Sequence, residues 1–543
     1  MNRSMLIYYA CWCLLLFLPT AGQTQNRRQP PANWQYLDPV TDSVAGINLQ
    51  RAYDLLKNRK SVPVIVGILD SGVDVNHEDL RDVIWENPNE ISDNNTDDDK
   101  NGYTDDRNGW NFMGAKDGTT YEYDQPEITQ TYVLLKDKYD KADRTKLSPA
   151  EQRQYDTYQA AKPVFLQRYE SVRQKRIALA DTAKFWQAAT QLGALLSDTL
   201  LSQQKIRSVD VKGDSLLLAV RNLLASTYNP AYGSFRKYVQ IVHQNWALFR
   251  KITASDADIA YNPDYNPRQE VGDDPANLSE RYYGSPTLKI GQSQQLAVHG
   301  THVAGIVAAK RGNGLGVDGI ADNARIMMIA VVPANGDERD KDVANGIRYA
   351  VENGAKVINM SFGKRLSPFK EQVDAAIRFA EEHDVLIVHA AGNNGENIDS
   401  IPAFPSAKYE NGQLAKNVLV VGNNTWQLNT GLVARSSSYG LAMVDIFAPG
   451  TDIVSTVPNN QYASFSGTSM AAPHVAGVAA LLRSYFPKLT AVQVKDILLK
   501  SSYKPSFSVQ KPGRSSQSVA FNALSRSGGL LNAYEAVKMA LTF

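Results

Sequence analysis

Ser464-Phe465-Ser466-Gly467-Thr468-Ser469-Met470-Ala471-Ala472-Pro473-His474-Val475-Ala476-Gly477 sets a serine among glycine and small residues, directly ahead of an apolar run over 475–482. Small residues before such a run make a tight turn into a buried helix. A hydroxyl presented there stands where the free N–H groups of a helix start favour developing negative charge. A serine hydroxyl is a poor nucleophile near neutral pH, so it needs a base within hydrogen-bond reach and a carboxylate to orient that base. The rest of the chain supplies candidates for both.

Val64-Ile65-Val66-Gly67-Ile68-Leu69-Asp70-Ser71-Gly72 is a continuous apolar strand ending on an aspartate and a glycine turn. Further on, Val298-His299-Gly300-Thr301-His302-Val303-Ala304-Gly305 puts a histidine at the start of a second small-residue helix. The three groups occur in the order Asp, His, Ser, which is the subtilisin order. Together the segments resemble the subtilisin-like (subtilase) serine peptidases, which implies that Asp70 orients, His299 is the general base and later acid, and Ser469 attacks the scissile carbonyl. His302 lies one helical turn beyond His299 and reads as a packed helix residue.

Acyl transfer also needs donors aimed at the oxyanion. The strand Val385-Leu386-Ile387-Val388-His389-Ala390 runs into Ala391-Gly392-Asn393-Asn394-Gly395, and the resemblance assigns the Asn393 amide as that donor. In the family, the end of the strand Val357-Ile358-Asn359-Met360-Ser361-Phe362-Gly363 pairs with the extended substrate backbone, a form of strand addition. The resemblance therefore implies a substrate-binding set of Ser361, Phe362, Gly363, Ala391 and Gly392.

The chain has 543 residues and a net charge of +1, and it carries no nucleic-acid-binding motif. Arg3, an apolar run over 5–18 and the small residues Ala21 and Gly22 form an expected signal peptide over 1–22, too short in its apolar core for a typical membrane span. An uncleaved anchor is the alternative. Export, to the medium, periplasm or cell surface, follows. Both cysteines, Cys11 and Cys13, fall inside that segment, so the mature protein holds itself together without disulfides. A polar N-terminal extension over 23–60 is too short for a separate pro-domain, and 36–55 is expected to pack as a helix on the core.

After the Asp70 strand, Asp97-Asp98-Asp99-Lys100-Asn101-Gly102-Tyr103-Thr104-Asp105 places oxygen ligands at loop positions 1, 3, 5 and 9, with glycine at 6 and a backbone carbonyl at 7. That is the first half of an EF-hand-type calcium loop. The expected ligands are Asp97, Asp99, Asn101, the Tyr103 carbonyl and Asp105, binding a structural Ca2+. Asn108 stands where the bidentate glutamate would be and no helices flank the loop, so a solvated acidic loop is the competing reading.

Asp70 and His299 are far apart in sequence, which calls for an insertion. Ser148-Pro149-Ala150-Glu151 is a capping box, and Pro163 is expected to interrupt or restart its helix. Apolar residues recur at helical spacing through 252. Between 131 and 250 there are 19 Lys and Arg against 10 Asp and Glu, so the insertion is basic and the remainder acidic. It reads as a cap beside the cleft or as support for the core. Past His299, apolar strands alternate with helices, which means a mostly parallel sheet covered on both faces.

The sequence thus predicts an α/β, subtilisin-like three-layer fold with a large, mostly helical insertion. Its parts are a peptidase domain in two pieces, 61–117 and 281–543, separated by the insertion 118–280. The expected function is a secreted serine endopeptidase with polypeptide substrates and no anchor after signal cleavage. An inactive scaffold, or a transpeptidase or cyclase using the same acyl-enzyme, are the alternatives.

Overall fold

The computed structural model describes residues 29–91, 93–196, 201–288 and 295–543. The expected signal peptide and both cysteines lie outside the described residues. Seven parallel strands form the central sheet: β1 (Val64–Asp70), β2 (Gly109–Asn111), β3 (Ala324–Ala330), β4 (Val357–Met360), β5 (Leu386–Ala390), β6 (Val418–Asn424) and β7 (Ile446–Pro449). Their spatial order is β2-β3-β1-β4-β5-β6-β7. β1 lies between β3, with Asp70 opposite Ala330, and β4, with Leu69 opposite Met360. Nearly every residue of these strands is buried, which is why they read as unbroken apolar runs rather than alternating ones.

The helices are α1 (Leu49–Leu56), α2 (Glu127–Tyr139), α3 (Pro149–Leu179), α4 (Thr182–Leu195), α5 (Gln203–Arg207), α6 (Ser215–Thr227), α7 (Phe235–Gln244), α8 (Trp246–Ser255), α9 (Arg268–Val271), α10 (Gln295–Ala308), α11 (Asp340–Glu352), α12 (Lys370–Glu382), α13 (Thr468–Tyr485), α14 (Ala491–Lys500) and α15 (Ala533–Ala540). Two of them show how the faces divide. A side chain added at Gly346 of α11 would meet Ile329 and Leu69, whereas one added at Gly300 of α10 would meet Asp70. Neighbouring residues of β1 therefore face α11 on one side and α10 on the other, as strand alternation requires. An antiparallel hairpin, β8 (Ile453–Val457) with β9 (Gln461–Phe465), leads into α13. No helix among the described residues is long and apolar enough to cross a membrane.

Helices α2 to α9 lie between β2 and α10. They bury two small cores of their own. Leu135, Tyr139 and Tyr158 join α2 to α3 and take in Phe369 of the body, and a distal core gathers Phe185, Leu192, Leu224 and Phe235. Two local expectations fail. Pro163 does not interrupt α3, which runs through it from a complete capping box at Ser148 and Glu151. The proline is exposed, and Phe165, stacked on Tyr132, secures the helix beyond it. Residues 36–55 are not one helix. A short 3-10 turn, Trp34–Tyr36, and α1 share the segment, because Asn48 caps α1 in a left-handed conformation and starts it late.

Candidate active site

In a parallel sheet the carboxyl ends of the strands lie along one edge, where chemistry collects. β1, β4 and β5 are neighbours, and their ends deliver Asp70, Ser361 and the turn Ala391-Gly392-Asn393 side by side. His299 approaches from α10 and Ser469 from the second residue of α13.

Asp70 is almost wholly enclosed, its side chain 2% exposed, while that of His299 is 39% exposed. The His299 Nδ1 lies 2.8 Å and 3.0 Å from the two Asp70 oxygens. Asp70 Oδ1 also accepts the Ser71 N–H at 2.8 Å. A carboxylate can only accept here, so Nδ1 carries the proton and Nε2 is the basic nitrogen. Burial alone would hold His299 neutral, but the charge and hydrogen bond of Asp70 outweigh it and raise its pKa above 6.5. Gly300 permits this closeness: any β-carbon there would fall 2.2 Å from the Gly72 carbonyl oxygen.

α13 is buried apart from Ser469 in its first turn. Ser469 and Ser361 clasp each other. The Ser469 hydroxyl donates to the Ser361 carbonyl at 3.0 Å, and the Ser361 hydroxyl donates to the Ser469 carbonyl at 2.9 Å. Among the described residues, the Ser469 hydroxyl bonds to that carbonyl and not to His299.

Asn393 is exposed, with its amide oriented by Thr468. Asn393 Oδ1 accepts the Thr468 N–H at 2.9 Å and the Thr468 hydroxyl at 3.1 Å, which leaves Nδ2 as the outward donor. The same Thr468 oxygen accepts the Gly392 N–H at 3.2 Å. Thr468 is thus a positioning residue that motif reading passed over. A hydroxyl in the first helical turn, next to Ser469, was the available signal.

The residues expected to line the substrate group with these. Ser361 is buried, Gly363 is exposed at the β4 end, and the Phe362 carbonyl pairs with His389 at 2.9 Å. Ala391 continues the β5 ladder through its N–H to Val421, and Gly392 leads to Asn393. His302 stands apart from the chemistry. Its Nε2 meets the Ile453 and Ala463 carbonyls at 3.1 and 3.0 Å, tying α10 to the β8–β9 hairpin. Burial pushes its pKa down to about 3.

The acidic loop is arranged differently from its sequence spacing. Carboxylate oxygens of Glu90, Asp99 and Asp106 lie within 4.8 Å of one another, so only Asp99 of the expected ligands joins the group. Asp97 instead accepts the Asn101 and Gly102 N–H groups, and Asp105 those of Asn94 and Asn95. Asn101 Oδ1 accepts the Tyr103 N–H at 2.8 Å, and its amide donates to Asp99 and Asp106. The Tyr103 ring packs against Trp110 and Tyr349. Burial pushes the Asp106 carboxyl up to about 6. Glu90 and Asp106 escaped notice because neither fits the alternating ligand spacing.

The profile of the Subtilase family (Peptidase_S8) matches residues 127–529. That span takes in His299, Asn393 and Ser469, and Asp70 precedes it. The thermophilic serine proteinase of Bacillus sp. (strain AK1) is 44% identical over 186 residues, 34% of this chain and 42% of the relative. Subtilisin Savinase of Lederbergia lenta is 36% identical over 248 residues, 46% of this chain and 81% of the relative. A protease of Pseudoalteromonas arctica PAMC 21717 superposes over 94% of this chain and 98% of its own, at 20% identity and a TM-score of 0.46. The chain spans less than half the length of the Bacillus relative, yet the profile covers most of the chain. The chain belongs to the subtilase family.

Proposed function

We propose that the chain is an exported serine endopeptidase that cleaves peptide bonds through an acyl-enzyme on Ser469. The observation that carries the reading is the Asp70–His299 hydrogen bond at the end of β1, beside a serine in the first turn of a buried helix. In the proposed cycle the Ser469 hydroxyl turns from the Ser361 carbonyl to His299 Nε2 and gives up its proton there. The oxygen attacks the substrate carbonyl carbon. The resulting oxyanion takes hydrogen bonds from Asn393 Nδ2 and from the Ser469 N–H at the α13 start. Collapse breaks the C–N bond, and His299 returns its proton to the departing amine. Water then enters and gives a proton to His299 as its oxygen attacks the acyl carbon; the bond to Ser469 Oγ breaks, His299 returns the proton to that oxygen, and the acid leaves. Asp70 stays ionised throughout, fixing the ring and stabilising the imidazolium.

Glu90, Asp99 and Asp106 fit a hard cation that prefers oxygen ligands, and we take that cation to be calcium. Bound there, it would neutralise three carboxylates and tie the acidic loop together. The N-terminal apolar run and the cell wall-associated protease among the relatives favour export.

The test is incubation of purified protein with a peptide library and mass analysis of the products. Wild type should release both fragments with water added, and Ser469→Ala should release none while retaining its fold. Products in which an amine replaces water would make the enzyme a transpeptidase, and equal turnover by Ser469→Ala would refute the assignment.

A further inference from the structure

A cavity of about 230 Å³ lies where α11 and the start of α12 meet the segment 278–281, which returns the chain from the insertion. Its walls include Ser279, Arg281, Lys341, Asn345, Arg348 and Gln372. Lys341 is fully occupied, its ammonium donating to Asp273, the Asp274 carbonyl and Glu280. The two arginines are not. Arg281 gives one terminal nitrogen to Glu352, at 2.6 and 2.9 Å, and its Nε is buried without an acceptor. Arg348 makes no hydrogen bond or ion pair among the described residues. Its guanidinium lies over the Phe379 ring, 5.2 Å from the centroid.

Glu352 pairs with Arg281 and also acts on Arg348, so two guanidinium groups share one counter-charge among the described residues, and a buried N–H without an acceptor is rare in native proteins. Burial, and then the neighbouring Arg281, hold Arg348 below the ordinary guanidinium value. Guanidinium groups present planar, forked donors suited to oxyanions. The cavity is smaller than a drug-sized pocket, so it suits a compact ligand. We propose that the pocket between Arg281 and Arg348 binds a small tetrahedral oxyanion, inorganic phosphate or sulfate, which fastens the return segment of the insertion to α11. The site is separate from the catalytic residues and independent of the proposed chemistry.

Sulfate stabilises many proteins by exclusion from their surfaces, so the test must isolate a site-specific part. The full chain is melted in rising sulfate against chloride of matched ionic strength, as wild type and as Arg348→Gln. Arg348 makes no hydrogen bond among the described residues, so the variant should lose only its contact with the Phe379 ring and melt close to wild type in chloride. Wild type should show an added rise that is logarithmic in sulfate once sulfate exceeds Kd, corresponding to a folded-to-unfolded ratio about 100-fold higher at 100 times Kd. Arg348→Gln should keep only the gradual general effect. Wild-type crystals grown in selenate should in addition show an anomalous peak within hydrogen-bond distance of Arg281 Nε and Arg348. Identical sulfate curves for the two proteins, or a selenate-grown crystal with only water in the pocket, would overturn the proposal.

Discussion

Asp70 can act as an orienting carboxylate because it is enclosed: its side chain has one face on the Ser71 N–H and the other on His299. Asp70→Asn would present an amide to Nδ1, favour the wrong tautomer and lower kcat on the order of 10⁴-fold. Because the His299 pKa is raised above 6.5, and the base must be neutral to work, activity falls as pH drops through that raised value. The acid limb of kcat/KM should therefore lie above pH 6.5 in wild type. The little activity left in Asp70→Asn should have its limb at lower pH, and an unmoved limb would remove Asp70 from this role. Asn393→Ala should lower kcat on the order of 10² to 10³-fold with little change in KM, the magnitude established for the corresponding donor in subtilisin. That these residues would come together was legible because each stands in a short motif at a strand end or a helix start. Thr468 and the Ser361–Ser469 clasp were not, since they depend on contacts between β4, β5 and α13 that no local pattern records.

The acidic loop and the insertion show what element-level reading catches and misses. Alternating oxygen ligands at 97, 99, 101 and 105 pointed to this loop, but Asp97 and Asp105 close its backbone while Glu90 and Asp106 lie close to Asp99. Chelation should lower the melting temperature, by an amount that grows with free calcium beforehand. Glu90→Gln should abolish that calcium response, whereas Asp97→Ala should weaken the loop with and without the ion. Identical melting in EDTA and calcium would make the cluster merely acidic. The helical content of the insertion was legible from apolar spacing, but its anchoring was not. Arg268 is enclosed with Asp273 at 2.6 Å and Asp342 at 2.9 Å, and Asp124 holds Arg339. Excision of 118–280 would remove Arg268, the ion-pair partner of Asp342, and Asp124, that of Arg339. Arg268→Ala alone should cost about 3–5 kcal/mol in urea unfolding. Replacing only 181–245, the distal helices, with a Gly/Ser linker should leave small chromogenic peptides cleaved and change which folded proteins are cut. An unchanged protein-substrate profile would deny the insertion a cap role.

At the scale of the whole molecule, a sheet buried on both faces carries the site on one edge, and its interior holds histidines that stay neutral near neutral pH. Burial pushes His302 down to about 3, and His389 and His474 each to about 4. The unfolded chain protonates these groups near pH 6.5, so as pH falls it takes up protons that the folded state refuses. Their stabilising contribution is complete above pH 6.5 and is lost as pH falls toward 4, at about 1.4 kcal/mol per pH unit for each group. Urea unfolding across that range should show the decline, and it should be shallower in His389→Gln. The parallel architecture was legible because strands buried on both faces must be apolar throughout. The central claim is that Ser469 is a nucleophile activated by His299 and Asp70, and it is tested most directly by a fluorophosphonate probe followed by intact mass and peptide mapping. The account predicts one adduct per chain, on Ser469, formed far more slowly in His299→Ala and absent in Ser469→Ala. A folded wild-type chain that takes up no probe, or carries it on another residue, would contradict it.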